Sequence, residues 1–415
     1  MEKLALYGGK PVRETNLTGG FPGAVMYDEK EAEEIAKVCF AKSPFRYYGP
    51  GVLGMVDTFE ARFKERIGAE YALGLTSCTA SLVVALKAAG IGPGDKVIVP
   101  ACTFVATAGA VVCAGAVPVF GDVDDTLNLD PKKIGDKVDK YTKAVIAVPL
   151  LGNPCQMDEI IKEAKKYNLI VIEDVAQSMG ASLNGKCMGT WGDIGVFSMQ
   201  MNKIITTGEG GVLVTDDPFL YERAVRYHDQ GQYRKEEGRL TNDPSKVLIG
   251  QNYRMSELTG AAACVQLEKL DTILAKMRGI KKILKCELQG IDGLEFRRVI
   301  DEEGDTASAL MMFLPTKELT EKFNEAMCAE NVGFFSLYGG RPAYMIPQIF
   351  YQKTIDRNHF PFNQFEEEVV YTEDMCPVAI DLMPRNTFTY LDPSFTDKDV
   401  DDIIRAVKKV AAAIL

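Results

Sequence analysis

Residues 144–175 read AVIAVPLLGNPCQMDEIIKEAKKYNLIVIEDV, and in this stretch two apolar runs enclose an amphipathic segment. The runs 144–151 and 169–175 have the length and the β-branched content of buried strands. The segment between them, 157–168, has the apolar spacing of a helix. Strands that alternate with helices of this length are typical of a mostly parallel sheet covered by helices on both faces.

The same alternation extends through most of the chain on both sides of this stretch. Further strands are predicted at 71–75, 97–100, 117–120, 193–199 and 210–217, and further helices at 28–42, 56–67, 79–90 and 103–115. In sheets of this kind, ligands bind at the carboxyl ends of the strands. The residues that follow each strand are therefore the first candidates for a functional site.

The pattern changes after about residue 275. Short strand-like runs, a helical segment and a long aromatic-rich segment (334–365) follow, and the chain closes with a helix that Thr396 is placed to cap. We therefore expect two domains: a large α/β domain with an N-terminal helical segment (1–274) and a smaller α+β domain (275–415).

Composition disfavours several classes of partner. The formal net charge is −11 and the chain has no long basic stretch, which argues against binding to nucleic acid or to an anionic membrane. Ten cysteines without a CxxC pair and only two histidines predict neither a disulfide framework nor a metal site. Together with an N-terminus that lacks the apolar core of a signal peptide, this composition predicts a cytoplasmic protein.

One uncharged segment, 97–121, is long enough to span a bilayer. Pro100, Gly115 and Pro118 interrupt it. We therefore expect a buried strand, helix and strand in this segment, and no membrane span.

Three segments at the ends of predicted strands carry candidate chemistry. Lys203 is the only basic residue of QMNKIITTGEGGVLVTDD (200–217), although a lone lysine before a turn is commonly a surface residue. Glu173 and Asp174 end a strand, where carboxylates either contact ligands or form turns. Ser77-Cys78-Thr79 precede a helix, so they either cap it or present its N-terminus to an anion.

Taken together, the three segments supply what pyridoxal 5′-phosphate (PLP) requires. This cofactor needs donors for its phosphate, an acid to keep its pyridine nitrogen protonated, and a lysine for its aldehyde. Each of these groups lies at the end of a predicted strand.

The chain also resembles the DegT/StrS family of PLP-dependent sugar aminotransferases, which have the aspartate-aminotransferase-like fold (fold type I). The resemblance covers nearly the whole chain. Four blocks carry it, namely GIGPGDKVIVPACTFVATAGAVVCAGAVPVFGDVD (90–124), IEDVAQSMGA (172–181), GDIGVFSMQMNKIITTGEGGVLVTDD (192–217) and GQNYRMSELTGAAACVQLEKLD (250–271).

The resemblance implies roles for eight residues. Lys203 corresponds to the Schiff-base lysine, Asp174 to the acid that pairs with the pyridine nitrogen, and Gln177 to the residue beside the cofactor's 3-hydroxyl. Thr79, Ala80 and Ser198 correspond to phosphate-binding positions, and Phe104 to the aromatic residue stacked on the pyridine ring. Asn252 corresponds to a residue that reaches the cofactor phosphate of the neighbouring subunit, which implies a homodimer with shared active sites.

The chain departs from the family pattern at several positions. Cys78 replaces the usual glycine of the phosphate loop, and Met179 stands where many members have histidine. The segment 336–353 lacks the histidine that nucleotide-sugar members often carry, and FRYYG (45–49) is similar to aminotransferases that act on scyllo-inosose, a ketocyclitol.

The resemblance implies an aminotransferase with a ping-pong Schiff-base mechanism. The amino donor would be glutamate or glutamine, and the acceptor a keto-sugar or a ketocyclitol. Arg46 and Arg341 are candidates for binding the donor carboxylate, but each is equally compatible with a surface position. His228 is interpreted as structural.

Two alternatives to the aminotransferase remain open. One is a PLP-dependent sugar dehydratase, although such family members carry histidine at the position of Lys203. The other is a non-catalytic regulatory or binding protein that retains the fold.

Overall fold

The structure, a computed structural model, describes residues 2–234 and 243–415. Twelve strands are present in the described residues: β1 Tyr71–Leu75, β2 Lys96–Pro100, β3 Val117–Gly121, β4 Thr142–Ala147, β5 Ile170–Asp174, β6 Ser182–Leu183, β7 Lys186–Cys187, β8 Ile194–Ser198, β9 Gly211–Thr215, β10 Glu295–Phe296, β11 Ala309–Phe313 and β12 Asn386–Tyr390. Seven of them form the central sheet in the order β1-β9-β8-β5-β4-β2-β3. Strands β8, β5, β4, β2 and β3 pair in parallel, and β9 pairs antiparallel with both of its neighbours, β1 and β8. The predicted mainly parallel sheet is therefore confirmed.

Helices cover both faces of this sheet. The described residues contain α1 Glu29–Phe40, α2 Met55–Ile67, α3 Cys78–Ala88, α4 Val105–Cys113, α5 Met157–Lys166, α6 Pro218–His228, α7 Glu257–Leu288, α8 Lys317–Ala329, α9 Pro347–Phe350, α10 Pro377–Arg385 and α11 Asp397–Ile414. Because side chains alternate along a strand, each strand serves two apolar cores. In β2, Val97 and Val99 belong to the core that contains α3, α4 and α6, whereas Ile98 belongs to the core that contains α2, α5 and α7.

The uncharged segment 97–121 lies in the centre of this architecture. It forms most of β2, then α4, and then β3, as the breakers in its sequence predict. In the part of the chain that the structure describes, no helix is long and apolar enough to cross a membrane.

A second, antiparallel sheet, β10-β11-β12, lies in the C-terminal part of the chain. It shares a third apolar core with α8, α11 and the end of α7. Residues from the N-terminus, including Leu4, also pack into this core. The predicted domain boundary at 274/275 falls inside α7, and the division of the chain into 1–274 and 275–415 stays a prediction.

The C-terminal helix α11 begins as its sequence predicts. The Thr396 hydroxyl accepts a hydrogen bond from the backbone N–H of Asp399, and the Asp399 carboxylate accepts one from the N–H of Thr396. This reciprocal capping satisfies two donors that the first turn would otherwise leave without partners.

Candidate active site

A cavity of about 430 Å³ opens at the carboxyl ends of β1, β5 and β8. Its volume is in the range typical of small-molecule sites. Six of the eight predicted site residues line it: Thr79, Phe104, Asp174, Gln177, Ser198 and Lys203. Ala80 is buried one residue behind the lining, and Asn252 lies on the exposed surface outside the cavity.

The two carboxylates that end β5 have different surroundings. Glu173 points away from the cavity and is fully buried, and its carboxylate accepts hydrogen bonds from the N–H groups of Gly189 (2.6 Å), Trp191 (2.7 Å) and Gly192 (2.8 Å). Asp174 lines the cavity. Of the two candidates in the sequence, Glu173 therefore fixes a loop, and Asp174 is the acid available to a ligand.

Asp174 is held on both of its oxygens. Oδ2 accepts a hydrogen bond from the Thr107 hydroxyl (2.8 Å), and Oδ1 accepts one from the N–H of Ala176 (3.2 Å) and lies 3.9 Å from the Cys78 thiol. Burial raises the pKa of the Asp174 carboxyl, while the hydrogen bonds from Thr107 and Ala176 and the charge of Lys203 act in the opposite direction. The result is an oriented carboxylate in a site of low polarity, which favours pairing with a cation.

Lys203 lies in the turn that follows β8 and is half-buried. Its backbone N–H donates to Gln200 (2.9 Å), so the turn is closed locally. Its amine donates no hydrogen bond to any residue of 2–234 or 243–415. Burial lowers the pKa of this amine, although Cys78 and Asp174 act in the opposite direction. A lysine that loses its proton more readily than usual is suited to act as a nucleophile and a base.

The N-terminus of α3 faces the same cavity. The Ser77 hydroxyl caps this helix by accepting the N–H of Ala80 (3.1 Å), so Ala80 contributes to the cap. Cys78 and Thr79 form the first turn, where N–H groups have no partner inside the helix. Such groups and the positive end of the helix dipole make a binding site for an anion such as a phosphate.

Two aromatic residues form a further wall of the cavity. Phe104 is 55% exposed, and its ring centroid lies 6.4 Å from that of Tyr338. The Tyr338 hydroxyl accepts a hydrogen bond from the Gln177 side-chain amide (3.0 Å). An aromatic face open to a cavity is suited to stacking on a planar ring.

Neither arginine that the sequence offers for a donor carboxylate lines the cavity. Arg46 is fully buried and pairs with Glu60 (2.9 Å) and Asp57 (3.0 Å). Arg341 is exposed to solvent. The geometry therefore does not support a carboxylate-binding role for either residue within this cavity.

Sequence reasoning gave Tyr338 no specific contact and assigned no role to several other residues that line the cavity, among them Thr107, Gln200, Asn202, Glu209 and Tyr390. Thr107 lies two residues into α4, in a run of small residues that resembles an ordinary buried helix. Its position three residues after Phe104 places both near the start of one helix, which is the only local signal that could have identified it. Within 2–234 and 243–415, no group of three or more His, Cys, Asp or Glu side chains is arranged to hold a metal ion.

Residues 28–408 match the DegT/DnrJ/EryC1/StrS aminotransferase family. The match covers most of the chain and includes all eight predicted site residues.

Two curated relatives have names that refer to different compounds. GDP-perosamine synthase of Escherichia coli O157:H7 is 40% identical over 242 residues, which is 57% of this chain and 64% of that protein. L-glutamine:2-deoxy-scyllo-inosose aminotransferase of Streptomyces kanamyceticus is 32% identical over 379 residues, which is 87% of this chain and 86% of that protein.

A solved structure has the same architecture. The aminotransferase TlmJ from Streptoalloteichus hindustanus aligns with a TM-score of 0.80 and 25% identity, over 96% of this chain and 99% of that one. This likeness confirms the aspartate-aminotransferase-like fold that the sequence predicts.

Proposed function

Because the chain belongs to the DegT/DnrJ/EryC1/StrS aminotransferase family, we propose that it transfers an amino group from glutamate or glutamine to a keto-sugar or a ketocyclitol. The observation that carries this proposal is the cavity itself, where the Lys203 amine, the Asp174 carboxylate and the open face of Phe104 meet. PLP is the cofactor of the family.

The residues of the cavity fit PLP. The free N–H groups at the start of α3, with Thr79 and Ser198 beside them, would hold its phosphate. Asp174 would pair with its ring nitrogen, Gln177 would lie beside its 3-hydroxyl, and Phe104 would stack on its ring. Lys203 would hold its aldehyde carbon.

Bound PLP supplies an electron sink for the charge that forms on the carbon next to the transferred nitrogen. The protein must then move a proton from that carbon. Lys203 Nζ is the base we assign, since burial favours its neutral form and no described residue accepts a hydrogen bond from it. Asp174, whose Oδ2 accepts a hydrogen bond from Thr107, would keep the ring nitrogen of bound PLP in its cationic form.

The same groups serve both halves of the proposed ping-pong reaction. In the first half the donor would leave its nitrogen with the cofactor and, with water supplying the keto oxygen, depart as a keto acid. In the second half the acceptor would take that nitrogen and lose its own keto oxygen as water. Lys203 Nζ would remove a proton from the donor's α-carbon in the first half, and in the second half it would return one to the acceptor carbon that comes to carry the amine.

The names of the relatives support the acceptor class, since one is named as the synthase of GDP-perosamine and the other as an aminotransferase of L-glutamine and 2-deoxy-scyllo-inosose. The lining of the cavity also includes Gln200, Asn202, Glu209 and Tyr390. Amide, carboxylate and phenol groups of this kind suit a polyhydroxylated ring.

We further propose that the enzyme is a cytoplasmic homodimer with shared active sites. Asn252 supports the shared site, since it is exposed and lies outside the cavity of its own chain. All ten cysteines are free, which supports a reducing compartment.

The proposal is tested by the visible absorbance of the purified protein reconstituted with PLP. Glutamate or glutamine should remove the band of the lysine-bound cofactor, and a keto acceptor should restore it. Lys203→Ala should abolish this band and lower turnover by at least about 100-fold, because it removes both the attachment point and the base. Lys132→Ala, at an exposed lysine, serves as the control.

Two results would contradict the proposal. Turnover retained by Lys203→Ala would remove this residue from the chemistry. A band that neither amino donor changes would instead indicate a binding protein that retains the fold.

A further inference from the structure

A chain of three buried side chains ends at the acid of the site. The Thr103 and Thr107 hydroxyl oxygens are 2.7 Å apart, and the Thr107 hydroxyl is 2.8 Å from Asp174 Oδ2. Thr103 and Thr107 are 0% and 1% exposed, so water does not compete for these contacts. Hydrogen bonds in such surroundings are stronger than at a surface.

The chemistry of these groups fixes the direction of the chain when Asp174 is ionised. A carboxylate only accepts hydrogen bonds, and a hydroxyl donates only one. Thr107 must therefore give its proton to Asp174, and Thr103 must give its own to Thr107. Each donated bond polarises the next one, so Thr103 strengthens the bond that Thr107 makes.

Thr107 is the sole described donor to Oδ2 of Asp174. The other oxygen, Oδ1, has the N–H of Ala176 at 3.2 Å and the Cys78 thiol at 3.9 Å. The thiol is a weak donor at long range. Loss of the Thr107 hydroxyl would thus leave Oδ2 without a described protein partner, and the carboxylate would be held only through the longer contacts of Oδ1.

Helix α4 couples this contact to the aromatic wall of the cavity. Phe104 is the residue that precedes its first turn, and Thr107 lies within that turn. The same short segment therefore determines both the position of the exposed Phe104 ring and the orientation of the Asp174 carboxylate. The positive end of the helix also favours the ionised form of a nearby carboxylate.

We propose that Thr107 is a positioning residue for Asp174, with Thr103 behind it. Its hydroxyl holds the carboxylate in one orientation and so determines how strongly that carboxylate binds a cationic ring nitrogen. This inference rests on the proposed function, because it concerns PLP binding by the same cavity.

The test compares Thr107→Val, Thr107→Ser and Thr103→Val in the full-length apoprotein. Valine keeps the shape of threonine without the hydroxyl, and serine keeps the hydroxyl. We expect Thr107→Val to raise the Kd for PLP by roughly tenfold or more, as a lost bond to a charged group does. Thr107→Ser should stay within about threefold of wild type, and Thr103→Val should fall between the two.

A spectroscopic measurement separates positioning from general destabilisation. With PLP labelled at its pyridine nitrogen, the ¹⁵N chemical shift should report loss of the ring proton at lower pH in Thr107→Val than in wild type. Thr142→Val is the matched control, since it removes a threonine–aspartate hydrogen bond (Thr142 to Asp139, 3.1 Å) outside the cavity. It should leave both the Kd and the ¹⁵N titration unchanged.

The outcomes distinguish this inference from the proposed function. If wild type binds no PLP, the proposed function fails. If wild type binds PLP and Thr107→Val matches it in Kd and in ¹⁵N titration, the positioning inference alone is overturned. Should Thr107→Val not fold, an unchanged ¹⁵N titration in Thr103→Val would overturn it equally.

Discussion

Cys78 and Met179 change the surroundings of the cofactor site in ways that depend on single side chains. Cys78 is 7% exposed and lies beside Asp174, and burial raises the pKa of its thiol well above the ordinary value. It is therefore a neutral neighbour of the acid. Met179 is 2% exposed and lines the cavity as an apolar residue. The polar contact that a histidine would make there is absent, and Thr107 is the group that fixes Asp174.

His228 shows how burial decides the state of a titratable residue. Its side chain is fully buried at the end of α6, where its ring contacts the carbonyl of Val225 and the Tyr47 hydroxyl. Burial, with the charge of Arg46, lowers the pKa of His228 to about 4. It lies outside the cavity, in keeping with its interpretation as a structural residue.

This environment predicts a pH dependence of stability. Between an ordinary pKa of about 6.5 and the folded value of about 4, the unfolded chain binds a proton that the folded chain does not. Stability should thus fall as the pH falls. From pH 7 to pH 5, this one residue should lower the free energy of unfolding by about 2 kcal/mol. Urea denaturation of the apoprotein at the two pH values measures this change in the free energy of unfolding.

Because other groups titrate in the same range, the comparison is made with His228→Gln. That variant keeps polar atoms at the position and loses the titration. Its free energy of unfolding should decline less between pH 7 and pH 5 than that of wild type. Equal declines in the free energy of unfolding would contradict this prediction, because they would show that the folded protein protonates His228 as readily as the unfolded chain does.

At the scale of elements, the anion site depends on how closely β9 approaches the N-terminus of α3. A Cβ at Gly211 would lie 2.4 Å from the carbonyl carbon and oxygen of Ser77 and 2.6 Å from the backbone nitrogen of Cys78. Only glycine allows this approach, because the atoms it meets are backbone. The antiparallel strand β9 thereby supports the first turn of α3.

Gly211→Ala should consequently displace the start of α3 and weaken PLP binding by roughly tenfold, as expected for loss of one charge-assisted hydrogen bond to the phosphate. The neighbouring Gly210→Ala is the matched control. A Cβ there meets the ends of side chains, Thr207 Oγ1 at 2.6 Å and Met199 Cε at 3.0 Å, which can move. Titration of each apoprotein with PLP gives the Kd values to be compared. Equal Kd values for the two variants would contradict the predicted role of Gly211.

At the scale of the whole molecule, buried polar contacts join the two sheets next to the cavity. Arg297, beside the small sheet, donates to the carbonyls of Leu150 (3.0 Å) and Leu151 (3.2 Å), which follow β4 of the large sheet. Asn153 donates to the carbonyl of Arg298 (2.9 Å). Leu151 lines the cavity, so these contacts fix one of its walls across both parts of the chain.

The proposed shared active site makes a prediction about pairs of inactive chains. Lys203→Ala and Asn252→Ala should each be impaired, because each removes one contribution to every site. A dimer of one Lys203→Ala chain and one Asn252→Ala chain contains one intact site, made of Lys203 from the second chain and Asn252 from the first. With random pairing of equal amounts, about a quarter of the sites should be intact.

Co-expression of the two variants, followed by an activity measurement, provides the test. Activity near a quarter of wild type supports a shared site. Co-expressed chains no more active than the separate variants, or a monomer in sedimentation, would rule it out.

Local patterns in the chain are sufficient to predict most secondary-structure elements and the principal candidate residues of the site. Apolar periodicity predicts β1–β5, β8 and β9, because a buried strand and an amphipathic helix differ in the spacing of their apolar side chains. The bounds agree within two residues except for β4, which ends at Ala147, four residues before the predicted end. The order of motifs predicts that Thr79, Asp174 and Lys203 meet, since strand ends in a parallel sheet share one edge. It assigns no helix to 218–228, where α6 forms, and no antiparallel direction to β9.

The side chains that complete the site come together through long-range packing. Thr107 and Asp174 are 67 residues apart in the chain, and Gln177 and Tyr338 are 161 apart. No local pattern records such contacts, because they depend on how the sheet, α4 and the C-terminal part of the chain pack together. The different roles of Glu173 and Asp174 also follow from the tertiary structure. Neighbouring residues of a strand point to opposite faces, so the Glu173 carboxylate binds the N–H of Gly189, whereas the Asp174 carboxylate binds the Thr107 hydroxyl.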